Sequence, residues 1–86
     1  MKQQRHLGIA TATREATQAN ALIADIHRLV EVLNIDIEFR EQEAGVTDLA
    51  RPEYPALART MRARRDNLLA TISALRRRAG RSDAAI

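Results

Sequence analysis

The sequence predicts an all-α fold: an antiparallel helical hairpin of two long amphipathic helices that dimerises into a four-helix bundle. Apolar residues recur at alternating steps of three and four along two segments, which is the spacing of one face of a coiled-coil helix. Ala, Leu, Arg and Glu are frequent, and all four favour helix. With 86 residues, the chain is long enough for one domain.

Helix one is predicted over about residues 12–44. Thr11 and Thr13 are candidate N-caps, because a Thr side chain can accept a hydrogen bond from the amides of a first helical turn. Gly45 is the expected stop, since glycine tolerates the left-handed conformation at a helix end. Residues 1–10 lack strong periodicity, so we expect a flexible leader there. The seam of helix one consists of Ala12, Ala16, Ala19, Ile23, Ile26, Val30, Leu33, Ile37, Arg40 and Ala44.

A connection is predicted at residues 45–54. Pro52 and Pro55 cannot both lie inside a helix without removing backbone hydrogen bonds. Pro55 suits the first position of the following helix, because its fixed φ is already helical. A connection of this length lets the two helices lie antiparallel.

Helix two is predicted over about residues 55–79. Gly80 is its expected end, and residues 81–86 are expected to form a loose tail, so that the hairpin spans residues 11–80. The seam of helix two consists of Ala58, Met61, Arg65, Leu68, Ile72, Leu75 and Ala79.

Apolar residues beyond the two seams predict self-association. Leu22 and Leu29 lie beside the seam of helix one, and Leu57 and Leu69 flank the seam of helix two. A second apolar patch near the end of helix one consists of Val32 and Phe39. A lone hairpin would leave them facing water, and a contiguous exposed apolar patch usually marks an interaction surface. A second copy, giving a two-fold symmetric homodimer, is the expected partner, and a different protein could cover the same surface. The expected dimer or partner interface comprises Ile23, Ile26, Val30, Leu33, Ile37, Leu68, Ile72 and Leu75.

Oligomerisation also suits the small size of the chain. Small folds usually add disulfides, metals or self-association to a limited core. The chain has no cysteine, which excludes disulfides, and its only histidines are His6 and His27. Aromatic residues are limited to Phe39 and Tyr54, which disfavours a β-sandwich or a mixed fold.

The charges of the two helices differ in sign. Residues 13–44 hold seven acidic residues and three arginines, whereas residues 53–81 hold eight arginines and two acidic residues. Antiparallel folding should therefore bring the basic start of helix two near the acidic end of helix one. The residues expected to meet are Arg59, Arg62 and Arg64 on one side and Asp36, Glu38, Glu41 and Glu43 on the other.

Arg40 and Arg65 occupy seam positions, and two hypotheses account for them. Their alkyl stems could cover the edge of the core while their guanidinium groups reach a carboxylate. Alternatively, they could set the register of a partner helix, as a single polar seam residue can. Both hypotheses predict a nearby acidic residue such as Asp36 or Asp66.

No catalytic, cofactor-binding or metal site is predicted. His27 and Glu31 lie one helical turn apart but do not form the inward-facing Glu-x-x-His pattern of a di-metal bundle. The acidic residues of helix one have the pattern of a solvated face. We therefore expect a non-enzymatic protein–protein interaction module, such as an adaptor, a small chaperone or a structural subunit.

The alternative hypothesis is a nucleic-acid-binding regulator that uses the basic face of helix two. Arg76, Arg77, Arg78 and Arg81 could neutralise phosphates, which is the main source of such affinity. Against this, no aromatic residues are interleaved for base stacking. Cations in a last helical turn also stabilise the helix dipole without any ligand.

The cellular setting is predicted only in outline. No run approaches the ~20 apolar residues of a membrane span, and the first residues lack the apolar stretch of a signal peptide. We therefore expect a cytoplasmic protein without membrane contact. Thirteen arginines against one lysine indicate a GC-rich coding sequence and hence a bacterial or phage source.

Overall fold

A computed structural model describes the backbone of residues 2–84 and the side-chain surroundings of residues 13–80. It contains two helices, α1 (Lys2–Ala44) and α2 (Ala56–Ala84), and no strand within the described backbone. The helices pack against each other antiparallel, since His27 of α1 contacts Arg76 near the end of α2. The predicted all-α hairpin is confirmed.

Both helices are longer than predicted. α1 begins at Lys2 rather than near residue 12, so residues 2–10 are helical and Thr13 lies inside the helix. α2 continues beyond Gly80 to Ala84. A glycine inside a helix costs only about 1 kcal/mol relative to alanine, which good helix formers on both sides offset. Residue 1 of the expected leader and residues 85–86 of the expected tail lie outside the described residues.

Gly45 ends α1, as predicted. Its φ is 68°, in the left-handed region where a side chain causes strain. The Gly45 amide donates to the carbonyls of Glu41 (2.9 Å) and Gln42 (3.2 Å), and the Val46 amide donates to that of Glu41 (3.3 Å). These bonds form a Schellman motif, which satisfies carbonyls that a helix end otherwise leaves unpaired.

The connection is built from hydrogen-bonded turns. The Asp48 carboxylate accepts from the Ala50 amide at 2.9 Å, and the Asp48 carbonyl accepts from the Arg51 amide at 3.2 Å. The Arg51 carbonyl then accepts from the Tyr54 amide at 3.2 Å. α2 begins directly after Pro55, whose carbonyl accepts the first helical bond from the Arg59 amide at 3.1 Å.

The core lies along the predicted seams. Ile23, Ile26, Val30 and Ile72 form one buried cluster, against which Leu68 and Leu75 pack. Every predicted seam position is buried or half-buried from residue 16 to 40 of α1 and from 58 to 79 of α2. Ala44 departs from the prediction because it is exposed at the end of α1, and the side chain of Ala12 lies outside the described residues.

The hairpin is a thin rod. Its extents are 65 × 19 × 13 Å and its Cα radius of gyration is 19.2 Å, whereas a compact domain of this length has about 12 Å. Its accessible surface is 6738 Å², against about 5,100 Å² for a typical folded monomer of this mass. Two helices shield only one side of each other, so much of the apolar surface stays in contact with water.

Candidate interaction surfaces

One side of the seam between α1 and α2 is joined by polar contacts and is named the polar edge. Arginines of α2 supply the donors. The contacts join His27 to Arg76 (3.3 Å), Asn34 to Arg65 (3.1 Å) and Glu41 to Arg62 (2.9 Å). Because the partners are 49, 31 and 21 residues apart, these contacts fix the register of one helix against the other.

The strongest part of the polar edge is a cluster of Glu41, Tyr54 and Arg62. Glu41 and Tyr54 are only 7% and 4% exposed. Arg62 donates from Nε to the Tyr54 hydroxyl (2.7 Å) and from Nη2 to Glu41 Oε2 (2.9 Å). The Tyr54 hydroxyl donates to the same Glu41 oxygen at 3.2 Å. The cluster thus fastens the connection to both helices.

Electrostatics within this cluster favour charged Arg62. The hydrogen bond to Glu41, followed by that to Tyr54, raises the pKa of Arg62 above its ordinary value. Arg59 adds a second cation, with its guanidinium carbon 5.3 Å from the centre of the Tyr54 ring. Since the buried carboxylate is paired with Arg62, the arrangement is that of a structural network.

The opposite side of the seam is apolar. Near the end of α2, Leu22 and Leu75 line one open cleft of about 320 Å³, with Arg78 at its margin. Leucines spaced by one to three helical turns continue this side towards the connection. The surface is named the leucine edge and comprises Leu22, Leu29 and Leu33 of α1 and Leu57, Leu68 and Leu75 of α2.

The leucine edge remains largely unburied within one chain. Leu22, Leu29 and Leu57 are 47%, 54% and 49% exposed. Leu33, Leu68 and Leu75 are half-buried and form the inner border of the edge. The prediction that flanking leucines face water is therefore confirmed for Leu22, Leu29 and Leu57. It is also confirmed for Leu69, which lies on the other side of α2.

A second exposed apolar surface lies on the outside of α1. This surface is named the outer stripe and consists of Val32, Ile35 and Phe39. Their side chains are 63%, 69% and 56% exposed, respectively. Val32 and Phe39 were predicted to form an apolar patch, whereas Ile35, on the same face of α1, was not predicted. The spacing of three and four residues between the three side chains could have revealed it. Leu49 in the connection, 41% exposed, was also missed.

The expected interface residues face the inside of the hairpin. Ile23, Ile26, Val30, Ile37 and Ile72 are at most 8% exposed within a single chain. Such side chains offer a second protein almost no surface. Within one chain these five side chains form the hairpin core. Leu33, Leu68 and Leu75 are half-buried, and the role of the eight residues in an interface stays a prediction.

The two seam arginines have the acidic neighbours that were predicted. Arg40 Nε lies 3.3 Å from a carboxylate oxygen of Asp36, although not in hydrogen-bonding geometry. Arg65 lies 3.3 Å from Asp66 and also donates to Asn34. Both hypotheses for these arginines require an acidic neighbour, so a role in setting the register of a partner helix stays a prediction.

Only part of the expected charge pairing between the helices forms. Arg62 pairs with Glu41. Arg59 instead donates to the backbone carbonyl of Leu49 at 2.8 Å. Arg64 has no acidic partner among the described residues, so the predicted group of three pairs is reduced to one.

The arginines proposed for nucleic-acid contact do not share one surface. Arg76 contacts His27 on the polar edge, whereas Arg78 borders the cleft of the leucine edge. Arg77, which lies between them in the sequence, is exposed. Because consecutive residues of a helix point about 100° apart, the three side chains point in different directions. The side chain of Arg81 lies outside the described residues.

Comparison with protein-family models, with curated proteins and with solved structures gives no significant match. Within the described part of the chain, no cluster of three or more histidine or acidic residues could hold a metal ion. Neither helix, over that same part, has the length and apolarity needed to cross a membrane.

Proposed function

We propose that this chain is a non-enzymatic protein–protein interaction module, a helical hairpin that self-associates through its leucine edge into a two-fold symmetric four-helix bundle. The observation that carries this proposal is the contrast between the two sides of one seam. Polar contacts already join the polar edge, whereas Leu22, Leu29 and Leu57 stay about half exposed on the other side.

The amount and position of this apolar surface support a second copy as the occupant. The chain exposes about 1,600 Å² more total surface than a typical monomer of its mass, which is about twice the ~800 Å² that each partner buries in a standard protein–protein interface. The leucines lie in one row on each helix, so two leucine edges can interdigitate as the layers of a four-helix bundle do.

Charge supports one arrangement of the two copies. The margin of the leucine edge carries Glu15 and Asp36 on α1, with Arg40 beside Asp36, and Arg64 on α2. If α1 of one copy lies over α2 of the other, Arg64 faces Asp36. If α1 lies over α1, the acidic margins of the two copies face each other instead. We therefore favour the first arrangement, which places both connections at the same end of the bundle.

Light scattering after size-exclusion chromatography tests this function. The wild-type chain should have twice the chain mass, and Leu29→Asp should reduce it to the chain mass because a carboxylate would be buried in the interface. Leu69→Asp is the matched control: Leu69 is also exposed, but it lies away from the leucine edge, so this variant should remain a dimer.

Three results would contradict the proposal. One is a monomeric wild-type chain at micromolar concentration. Another is dissociation by Leu69→Asp but not by Leu29→Asp. The third is a heavier particle that absorbs strongly at 260 nm, because the chain has one Tyr and no Trp and bound nucleic acid would dominate that signal. The third result would favour the nucleic-acid-binding alternative instead.

A further inference from the structure

The structure points to a second interaction site: we propose that the outer stripe, Val32, Ile35 and Phe39, docks an amphipathic helix of a different protein whose apolar face is flanked by arginines or lysines. The leucine edge takes no part in this contact. The proposal therefore does not depend on self-association, although a dimeric hairpin would present two such stripes.

The outer stripe has the geometry of a helix-docking surface. Val32, Ile35 and Phe39 follow the i, i+3, i+7 spacing of the anchors in helix-to-helix recognition. Val32 lies two residues from the buried Val30, and Phe39 lies two residues from the buried Ile37. Two residues correspond to about 200° around a helix, so the stripe points away from the hairpin core over about two turns.

Exposure distinguishes the stripe from scattered surface residues. Ile35, at 69%, is the most exposed of the large apolar side chains in the described part of the chain, and its two neighbours on the stripe exceed one half. Single exposed apolar residues are ordinary, but three that adjoin on one helical face usually mark a contact surface.

The charges beside the stripe identify the kind of partner. Glu31 and Glu38 lie on one side, seven residues apart, and Asp36 and Glu43 lie on the other side with the same spacing. All but Asp36 lack an ion pair among the described residues. A partner helix that carries cations on both sides of its apolar face would complement these two rows of carboxylates.

The same charges argue against a second copy of this chain on the stripe. Two stripes packed on each other would bring four acidic residues of each copy together, and like charges in an interface oppose association. The chain's own α2 supplies the cations but not the apolar face. Its exposed large apolar residues are Leu57 and Leu69, which flank the seam on opposite sides.

Three synthetic helical peptides test the proposal by isothermal titration calorimetry. The first carries leucines at i, i+3 and i+7 flanked by arginines, the second has glutamates in place of the arginines, and the third has glutamines in place of the leucines. The first should bind the wild-type protein at least about tenfold more tightly than either other peptide, since both apolar and ionic contacts are required.

Protein variants locate the binding site. Ile35→Glu should weaken binding of the arginine–leucine peptide by at least about tenfold, because the new carboxylate would meet the apolar face of the peptide. Leu69→Glu is the control, because it also changes an exposed apolar residue of a helix. This variant should bind the arginine–leucine peptide as tightly as the wild type does. Circular dichroism should show unchanged helix content for both variants, as both positions are exposed.

The proposal is overturned if the arginine–leucine peptide does not bind, or if it binds Ile35→Glu as well as the wild type. Equal binding of the peptide without leucines would reduce the contact to non-specific charge attraction and would also overturn it. A loss of wild-type mass on Ile35→Glu would show that a second copy covers the stripe. A monomeric wild-type chain would disprove self-association through the leucine edge. It would not affect the outer-stripe proposal, because that proposal is tested by peptide binding.

Discussion

The two edges of the hairpin seam differ in the side chains that line them and in the contacts those side chains make. On the polar edge, Asn34, Glu41 and their arginine partners join the two helices by directed hydrogen bonds. On the leucine edge, Leu22 and Leu75 line an open cleft instead. One edge therefore makes this hairpin specific for its own fold, while the other leaves apolar side chains in contact with water.

The energies of the two edges differ in kind. A hydrogen bond or ion pair at an exposed position contributes roughly 0–1 kcal/mol, so the contact of the exposed Arg76 with His27 selects a register more than it stabilises the fold. The paired Glu41, only 7% exposed, is more sensitive, because removing the partner of a buried charge is costly. Apolar contact on the leucine edge is non-directional and accepts any well-shaped apolar surface.

The largest expected effect comes from the core between the two edges. Ile72→Asp should unfold the hairpin, because Ile72 is 2% exposed and an unpaired carboxylate there has no partner. Circular dichroism should show loss of most helical signal at 25 °C. Ser73→Asp is the control, since Ser73 is exposed, and it should keep wild-type helix content. Wild-type helix content and mass in Ile72→Asp would mean that the seam is assigned incorrectly.

A smaller loss is expected on the polar edge. Glu41→Gln should lower the free energy of unfolding by about 2 kcal/mol, the typical value for a hydrogen bond to a charged group. Urea denaturation followed by circular dichroism measures the change. Glu38→Gln should stay within about 0.5 kcal/mol of the wild type, because Glu38 is exposed and without a partner among the described residues. Equal effects of the two variants would refute the structural role of the buried cluster.

The smallest effect on stability is expected from a labelled cysteine that reports how two leucine edges pack in the proposed dimer. Thr47→Cys places a single thiol in the exposed connection of a chain that has no other cysteine, and its stability should not change. Spin labels there should lie within roughly 20 Å of each other if both connections share one end of the bundle. A separation above about 40 Å, the length of α2, would show the opposite arrangement, with α1 over α1.

Local signals predicted most of the fold correctly. Ile23, Ile26 and Val30 lie where the periodicity of three and four placed the core, and Gly45 ends α1 as its freedom at positive φ suggested. The start of α2 was predicted to within one residue. The start of α1 and the end of α2 were predicted wrongly, because residues 1–10 lack periodicity and because a glycine such as Gly80 has only a small cost inside a long helix.

The candidate interaction surfaces were less predictable. Periodicity identified Leu22, Leu29 and Leu57 as apolar residues beyond the seams, but it could not tell which of them share one side of the assembled hairpin. Ile35 of the outer stripe was not predicted, although its spacing of three and four residues from Val32 and Phe39 places all three on one face of α1. Tyr54, buried at 4%, gave no signal of its own, since its pairing with Glu41 and Arg62 depends on how the connection folds back.

The two helices, the apolar seams and the stop at Gly45 follow from local sequence, because they depend on interactions among residues within a few turns of one helix. The buried cluster of Glu41, Tyr54 and Arg62 and the difference in polarity between the two sides of the seam depend instead on how the helices pack together. The physical reason is that periodicity sets the direction of a side chain on its own helix. Which directions meet depends on the register between the helices, and contacts spanning 21 to 49 residues set that register.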